Sequence, residues 1–76
     1  MNKGDPSKQK KLGDAMRRQR TRLRISQEDF ADKVGMHRTY YGSVELGRRN
    51  LTLASLLTIS DGLGVKLGKL FEDAGI

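Results

Sequence analysis

The stretch from Ser26 to Asn50, SQEDFADKVGMHRTYYGSVELGRRN, constrains the fold of this chain more than any other. Ser26 can cap a helix, which puts Glu28 and Asp29 in the first turn, where the positive end of the helix dipole favours acids. Phe30, Ala31 and Val34 share the inward face, and Gly35 ends the helix because glycine accepts a left-handed conformation at little cost. Met36 is the natural turn residue to bury. A second helix is predicted from about Arg38 to Leu46, stopped by Gly47, and its outer face is polar and basic. A helix, a sharp turn and a polar helix in that order is how a small protein presents a helix to the major groove of DNA.

The flanking segments read as the platform for this unit. Residues 1–6, MNKGDP, are polar and lack an apolar anchor, which predicts a mobile tail ahead of a single domain at 7–76. Ser7 can cap a helix running to about Leu23, with Leu12, Ala15, Met16 and Leu23 on one stripe and Lys and Arg on the other sides. Thr52 can cap a helix reaching Leu63, with Leu53, Leu56, Leu57 and Ser60 inward and Gly62 and Gly64 breaking it. A last short helix is expected at roughly Leu67 to Ala74. No segment alternates with period two, so the expected class is all-α, a compact domain of about five short helices.

Composition narrows the function classes. At 76 residues there is room for one domain. The chain has no cysteine and a single histidine, His37, so neither a disulfide nor an all-protein metal centre is expected, and no cofactor. No nucleophile–base pair or phosphate-cradling glycine loop suggests an enzyme. No apolar run approaches the ~20 residues of a membrane span, and the expected location is the cytoplasm. A net charge of +6, from 15 Lys+Arg against 9 Asp+Glu, favours a polyanionic partner. Because the first helix has a narrow apolar stripe and no aromatic anchor, nucleic acid is favoured over a membrane surface.

Within the central unit the geometry assigns roles. Ala31 is small where the two helices cross, and Tyr41 and Val44 would anchor the second helix to the core. Arg38, Thr39, Gly42 and Ser43 then share the opposite face. Arginine can donate two hydrogen bonds to guanine, and threonine offers a methyl for thymine plus a hydroxyl. Gly42 costs about 1 kcal/mol relative to alanine in a helix, which deep seating in a groove would explain. Arg48, Arg49 and Asn50 form a short basic loop suited to phosphate. His37 is read as a capping or solvated residue.

The segment SQEDFADKVGMHRTYYGSVELG resembles the helix-turn-helix of the λ repressor and Cro, or XRE, family, and HRTYYGSVELGRRNLT is similar to the controller proteins of restriction–modification systems. That resemblance, over about Arg17 to Phe71, implies a λ-repressor-like fold and DNA binding. It implies base contacts by Arg38, Thr39, Ser43 and Arg49, and phosphate contacts by Gln27, Tyr40 and Asn50. It also implies an ion pair between Glu45 and Arg20 that fixes the reading helix and turns Arg20 towards a phosphate. Arg48 has no firm counterpart, Leu46 stands where a polar or basic residue is common, and Tyr41 is larger than the usual aliphatic anchor.

The expected partner is double-stranded DNA, with no small-molecule effector. One reading helix makes too few base contacts for discrimination, so a homodimer on a near-palindromic operator is expected. Leu63, Val65, Leu67, Leu70 and Phe71 are the candidate dimer surface. The alternative is an antitoxin-type interaction module of the same fold that binds DNA secondarily.

Overall fold

The computed structural model describes residues 6–76. The expected N-terminal tail lies outside them, except for Pro6, whose backbone opens the first helix. Five helices follow in order: α1 (Pro6–Arg22), α2 (Gln27–Lys33), α3 (Arg38–Glu45), α4 (Leu53–Leu63) and α5 (Leu67–Ala74). The described residues contain no strand.

Local chemistry sets most of these boundaries. Ser26 Oγ accepts from the Asp29 amide at 3.0 Å, and Thr52 Oγ1 accepts from the Ser55 amide at 3.0 Å, each satisfying a donor at a helix start. After α2 the chain reverses at Gly35, whose φ of 72° is left-handed, and the Met36 amide donates back to the Ala31 carbonyl at 2.9 Å. His37 caps α3, its Nδ1 accepting from the Thr39 amide at 3.1 Å. Ser7, by contrast, sits inside the first turn of α1 because that helix starts at Pro6, a residue suited to the first helical position.

α1 is the spine of the domain and packs against α3, α4 and α5. Its buried stripe is Leu12, Ala15, Met16 and Gln19, whereas Leu23, expected inward, is 44% exposed because the helix has already ended at Arg22. Gln19 instead donates to Asp73 of α5, and Arg18 Nη2 donates to the Asp73 carbonyl at 2.8 Å. In the centre, Phe30 of α2 and Tyr41 of α3 are fully buried with ring centroids 5.1 Å apart at a tilt of 52°.

α4 buries a face one turn later than its leucine pattern suggests. Ile59, Ser60 and Leu63 are buried with Leu56 packed beside them, while Leu53 and Leu57 are 65% and 45% exposed. Gly62, expected to break α4, lies within it. A Cβ there would stand 2.5 Å from Val34 Cγ1 and 3.1 Å from Phe30 Cζ, so its lack of a side chain is what lets α2 approach. The helix stops at Gly64. Two residues expected at a dimer surface belong to this core instead: Leu63 is 3% and Leu70 0% exposed, because both fall on the inward stripes of their helices. Val65, Leu67 and Phe71 stay half-buried.

Candidate nucleic-acid interface

The site begins with the crossing of α1 and α3. A Cβ on Gly13 would come within 2.4 Å of the Glu45 carbonyl oxygen, so the two backbones touch there. Beside this contact, Arg20 Nε donates to Glu45 Oε2 at 2.7 Å and Nη2 donates to Oε1 at 3.1 Å, while Nη1 donates to the Ile25 carbonyl at 2.9 Å. Gln27 Nε2, from the first turn of α2, donates to Glu45 Oε1 at 3.0 Å. One carboxylate thus ties three helices together.

Burial alone would push the Glu45 carboxyl up, but the hydrogen bonds from Arg20 and Gln27 outweigh it and hold the group below the usual carboxylate range. The same bond to Glu45, partly offset by burial, raises Arg20 above its ordinary value. Burial, with Glu45 nearby, pushes the Tyr41 phenol well above its ordinary value, and its enclosed hydroxyl has no hydrogen bond of good geometry among the described residues. Arg20 spends its Nε and both terminal nitrogens inside the protein and its side chain is 13% exposed, so it works mainly as a brace.

The brace leaves one face of α3 open. Gln27, Thr39, Gly42 and Ser43 line a shallow concave surface together with Arg38, Leu46 and Arg48. Arg38 is 64% exposed at the side chain and lies 3.4 Å from Glu28 of α2. At the far end, Arg49 Nε donates to Ser43 Oγ at 3.0 Å and its guanidinium lies 5.2 Å from the Tyr40 ring centroid. Ser43 Oγ in turn donates to the Tyr40 carbonyl at 2.6 Å. Asn50 Oδ1 accepts from Gln9 of α1, which leaves its amide donors for another acceptor.

Of the residues singled out by sequence, Gln27, Arg38, Thr39 and Ser43 therefore share one surface. Tyr40 and Arg49 are tied to Ser43, Asn50 lies with Arg49 in an adjoining depression, and Arg20 and Glu45 line another that shares Gln27. Sequence reasoning missed two partners: Glu28, which it treated only as an acid near a helix start, and Gln9. Neither contact has a local sequence signal, since each depends on how helices distant in the chain are set against each other. Gly42 also has a reason internal to the protein. A Cβ there would lie 3.2 Å from Gln27 Oε1, so the glycine makes room for the side chain that steadies Glu45.

The sequence pattern of the helix-turn-helix family matches residues 16–70, which span α2, the turn and α3 and most of the surrounding bundle. The chain belongs to the XRE-type helix-turn-helix family. It is a DNA-binding regulator whose partner is double-stranded DNA. The chain is 48% identical over 58 residues to the control protein C.MunI of Mycoplasma sp, covering 76% of each chain. It is 38% identical over 65 residues to the control protein C.SmaI of Serratia marcescens, covering 86% of this chain and 77% of that one. Among solved structures, the restriction–modification controller protein C.AhdI of Aeromonas hydrophila superposes with a TM-score of 0.77 at 36% identity, over 80% of this chain and 92% of that one. No helix among the described residues is long and apolar enough to cross a membrane.

Proposed function

We propose that this protein is a sequence-specific transcriptional regulator of the restriction–modification control type, acting as a homodimer on a near-palindromic operator. The observation that carries the reading is the open face of α3. Arg38, Thr39 and Ser43 project from a helix whose rear is locked by Glu45, so the bases would be met by a prepositioned set of donors. In this reading Arg38, Thr39, Ser43 and Arg49 contact base edges, while Gln27, Tyr40 and Asn50 hold phosphates. Similarity to several restriction–modification control proteins supports the biological setting.

Dimerisation follows from arithmetic. Each good base contact contributes ~1–3 kcal/mol of discrimination, too little from a single helix, and half-sites about 34 Å apart would place two copies on one side of the duplex. Leu57 at 45% and Ile76 at 48% exposure, with the half-buried Val65, Leu67 and Phe71, supply apolar surface for a second copy.

A mobility-shift titration tests the scheme, with duplex selected from a random library set against the unselected pool at several salt concentrations. The expected result is at least a thousandfold preference for the selected site, typical of specific binders. Equal affinity for both pools would overturn sequence-specific regulation. Sedimentation of the free protein and of the complex checks the stoichiometry, for which two copies per site are expected.

A further inference from the structure

The geometry points to Arg17 and Arg48 as two further DNA-backbone contacts, one in each of two depressions that meet at Gln27, which grip phosphodiesters beside the bases that α3 meets. This rests on the functional reading above and extends the binding surface onto α1, which that reading does not use.

Two shallow depressions lie side by side and share Gln27 and Leu46 as their common ridge. The first is lined on the α1 side by Lys10, Arg17 and Arg20, and the second contains Arg38 and Arg48. Most of these cations already have partners. Lys10 lies 2.6 Å from Asp14, Arg20 is bonded to Glu45 at 2.7 Å, and Arg38 lies 3.4 Å from Glu28. Arg17 and Arg48 are different. Both side chains are exposed, and among the described residues neither guanidinium has a hydrogen bond or an ion pair. Each depression therefore holds one uncommitted guanidinium, and the two flank the glutamine expected to hold a phosphate.

Position argues for backbone rather than base contact. Arg48 follows the C-terminal end of α3, and its amide donates to the Ser43 carbonyl at 3.0 Å, which fixes where its side chain starts. In this docking mode the N-terminal part of the helix reaches the base edges. Arg49 is drawn back over α3 by its bond to Ser43 and its contact with the Tyr40 ring, whereas Arg48 has no such tie and is left for the strand. Arg17 sits on α1 and lines the depression that lacks Arg38, Thr39 and Ser43, so it is set apart from the base-reading side chains. A guanidinium with no internal acceptor can bind a phosphate without first breaking a contact, and each such contact displaces about one counterion from the duplex.

The experiment measures DNA affinity against salt concentration for the full chain and for Arg17→Ala, Arg48→Ala and the double variant, on both selected and random duplex. Lys66→Ala is the control, because it removes the same charge from an exposed residue that lines neither depression. Each arginine variant removes a contact from both copies on the site and is expected to flatten the slope of log K against log salt by about 1.8, at ~0.9 per contact, with the double variant flattening it by about twice that. Specific and random binding should weaken together, and Lys66→Ala should keep the wild-type slope. Arg48→Lys should largely restore it, since a phosphate accepts a point charge.

Slopes unchanged in Arg17→Ala and Arg48→Ala, while the wild type binds DNA, overturn the inference and leave the regulator reading intact. A loss of preference for the selected site at constant slope also overturns it, because that marks base reading. A wild-type protein that binds neither duplex overturns both readings together.

Discussion

Arg20 grips Glu45 through two parallel hydrogen bonds, at 2.7 and 3.1 Å, and so fastens α1 to the last residue of α3. Glu45 is 4% exposed, and removing its carboxylate leaves a largely enclosed guanidinium without its anion. Glu45→Ala should cost about 3 kcal/mol in urea unfolding. DNA affinity should fall with it, measured under conditions where the variant is still folded. Replacing Arg20 and Glu45 together by Met and Leu should cost less than Glu45→Ala alone, because no buried charge is left unpaired. An additive double variant would show that the pair does not act as a unit.

The same cluster sets a pH window. The folded-state carboxyl of Glu45 is held low, so its contribution is present above the ordinary glutamate range and is lost as pH falls through the lowered value. The Tyr41 phenol is held high, so the folded state is favoured below about pH 10 and loses ground as pH rises beyond it. Urea midpoints should be flat across the neutral range and fall on both sides. Glu45→Gln should lessen the acid limb and Tyr41→Phe the alkaline one. Because the Tyr41 hydroxyl is buried without a well-formed hydrogen bond, Tyr41→Phe should change stability at neutral pH by less than about 1 kcal/mol, in either direction. A larger loss would mean that the hydroxyl is held more firmly than its geometry indicates.

Gly42 and Gln27 compete for one space. Alanine at position 42 gains about 1 kcal/mol of helix propensity, but its Cβ would press on Gln27 Oε1 at 3.2 Å. Gly42→Ala should therefore stabilise the protein fully only in a Gln27→Ala background, and by less in the wild type. Thermal unfolding of the four proteins gives the coupling; equal gains in both backgrounds would remove the steric explanation.

Glu28 and Arg38 form an exposed ion pair, 62% and 64% exposed at the side chain. Such pairs contribute little to folding, so Glu28→Gln should leave the unfolding midpoint nearly unchanged. In DNA binding, however, Arg38 must exchange Glu28 for a base. Per half-site, Glu28→Gln should raise affinity by up to about fivefold at low salt, whereas Arg38→Ala should lose ~1–3 kcal/mol and relax preference at one base pair. Weaker binding by Glu28→Gln would instead make the carboxylate an aid that orients Arg38.

The physical basis for what could be foreseen is local. The caps Ser26 and Thr52, the turn at Gly35 and the three-residue spacing of Tyr41 and Val44 act within a few residues, so the sequence declares them directly. Where burial depended on which turn of a helix faces the core, local pattern misled. Leucines at 53 and 57 face outward while Ile59 and Leu63 face in, and Gly62 packs against Val34 and Phe30 instead of ending α4.

By itself, the sequence determined an all-α chain with a short acidic helix, a glycine turn and a helix bearing Arg38, Thr39 and Ser43 on one polar face, because capping, dipole and periodicity are short-range effects. Only the tertiary structure decided which charges are already spent. Glu28 holds Arg38, Ser43 and Tyr40 hold Arg49, and among the described residues Arg17 and Arg48 stay uncommitted; the hold of Glu45 on Arg20 alone was already implied by the family resemblance. Those pairings join residues on different helices and loops, set by how α1, α2 and α3 pack, and no spacing along the chain encodes them.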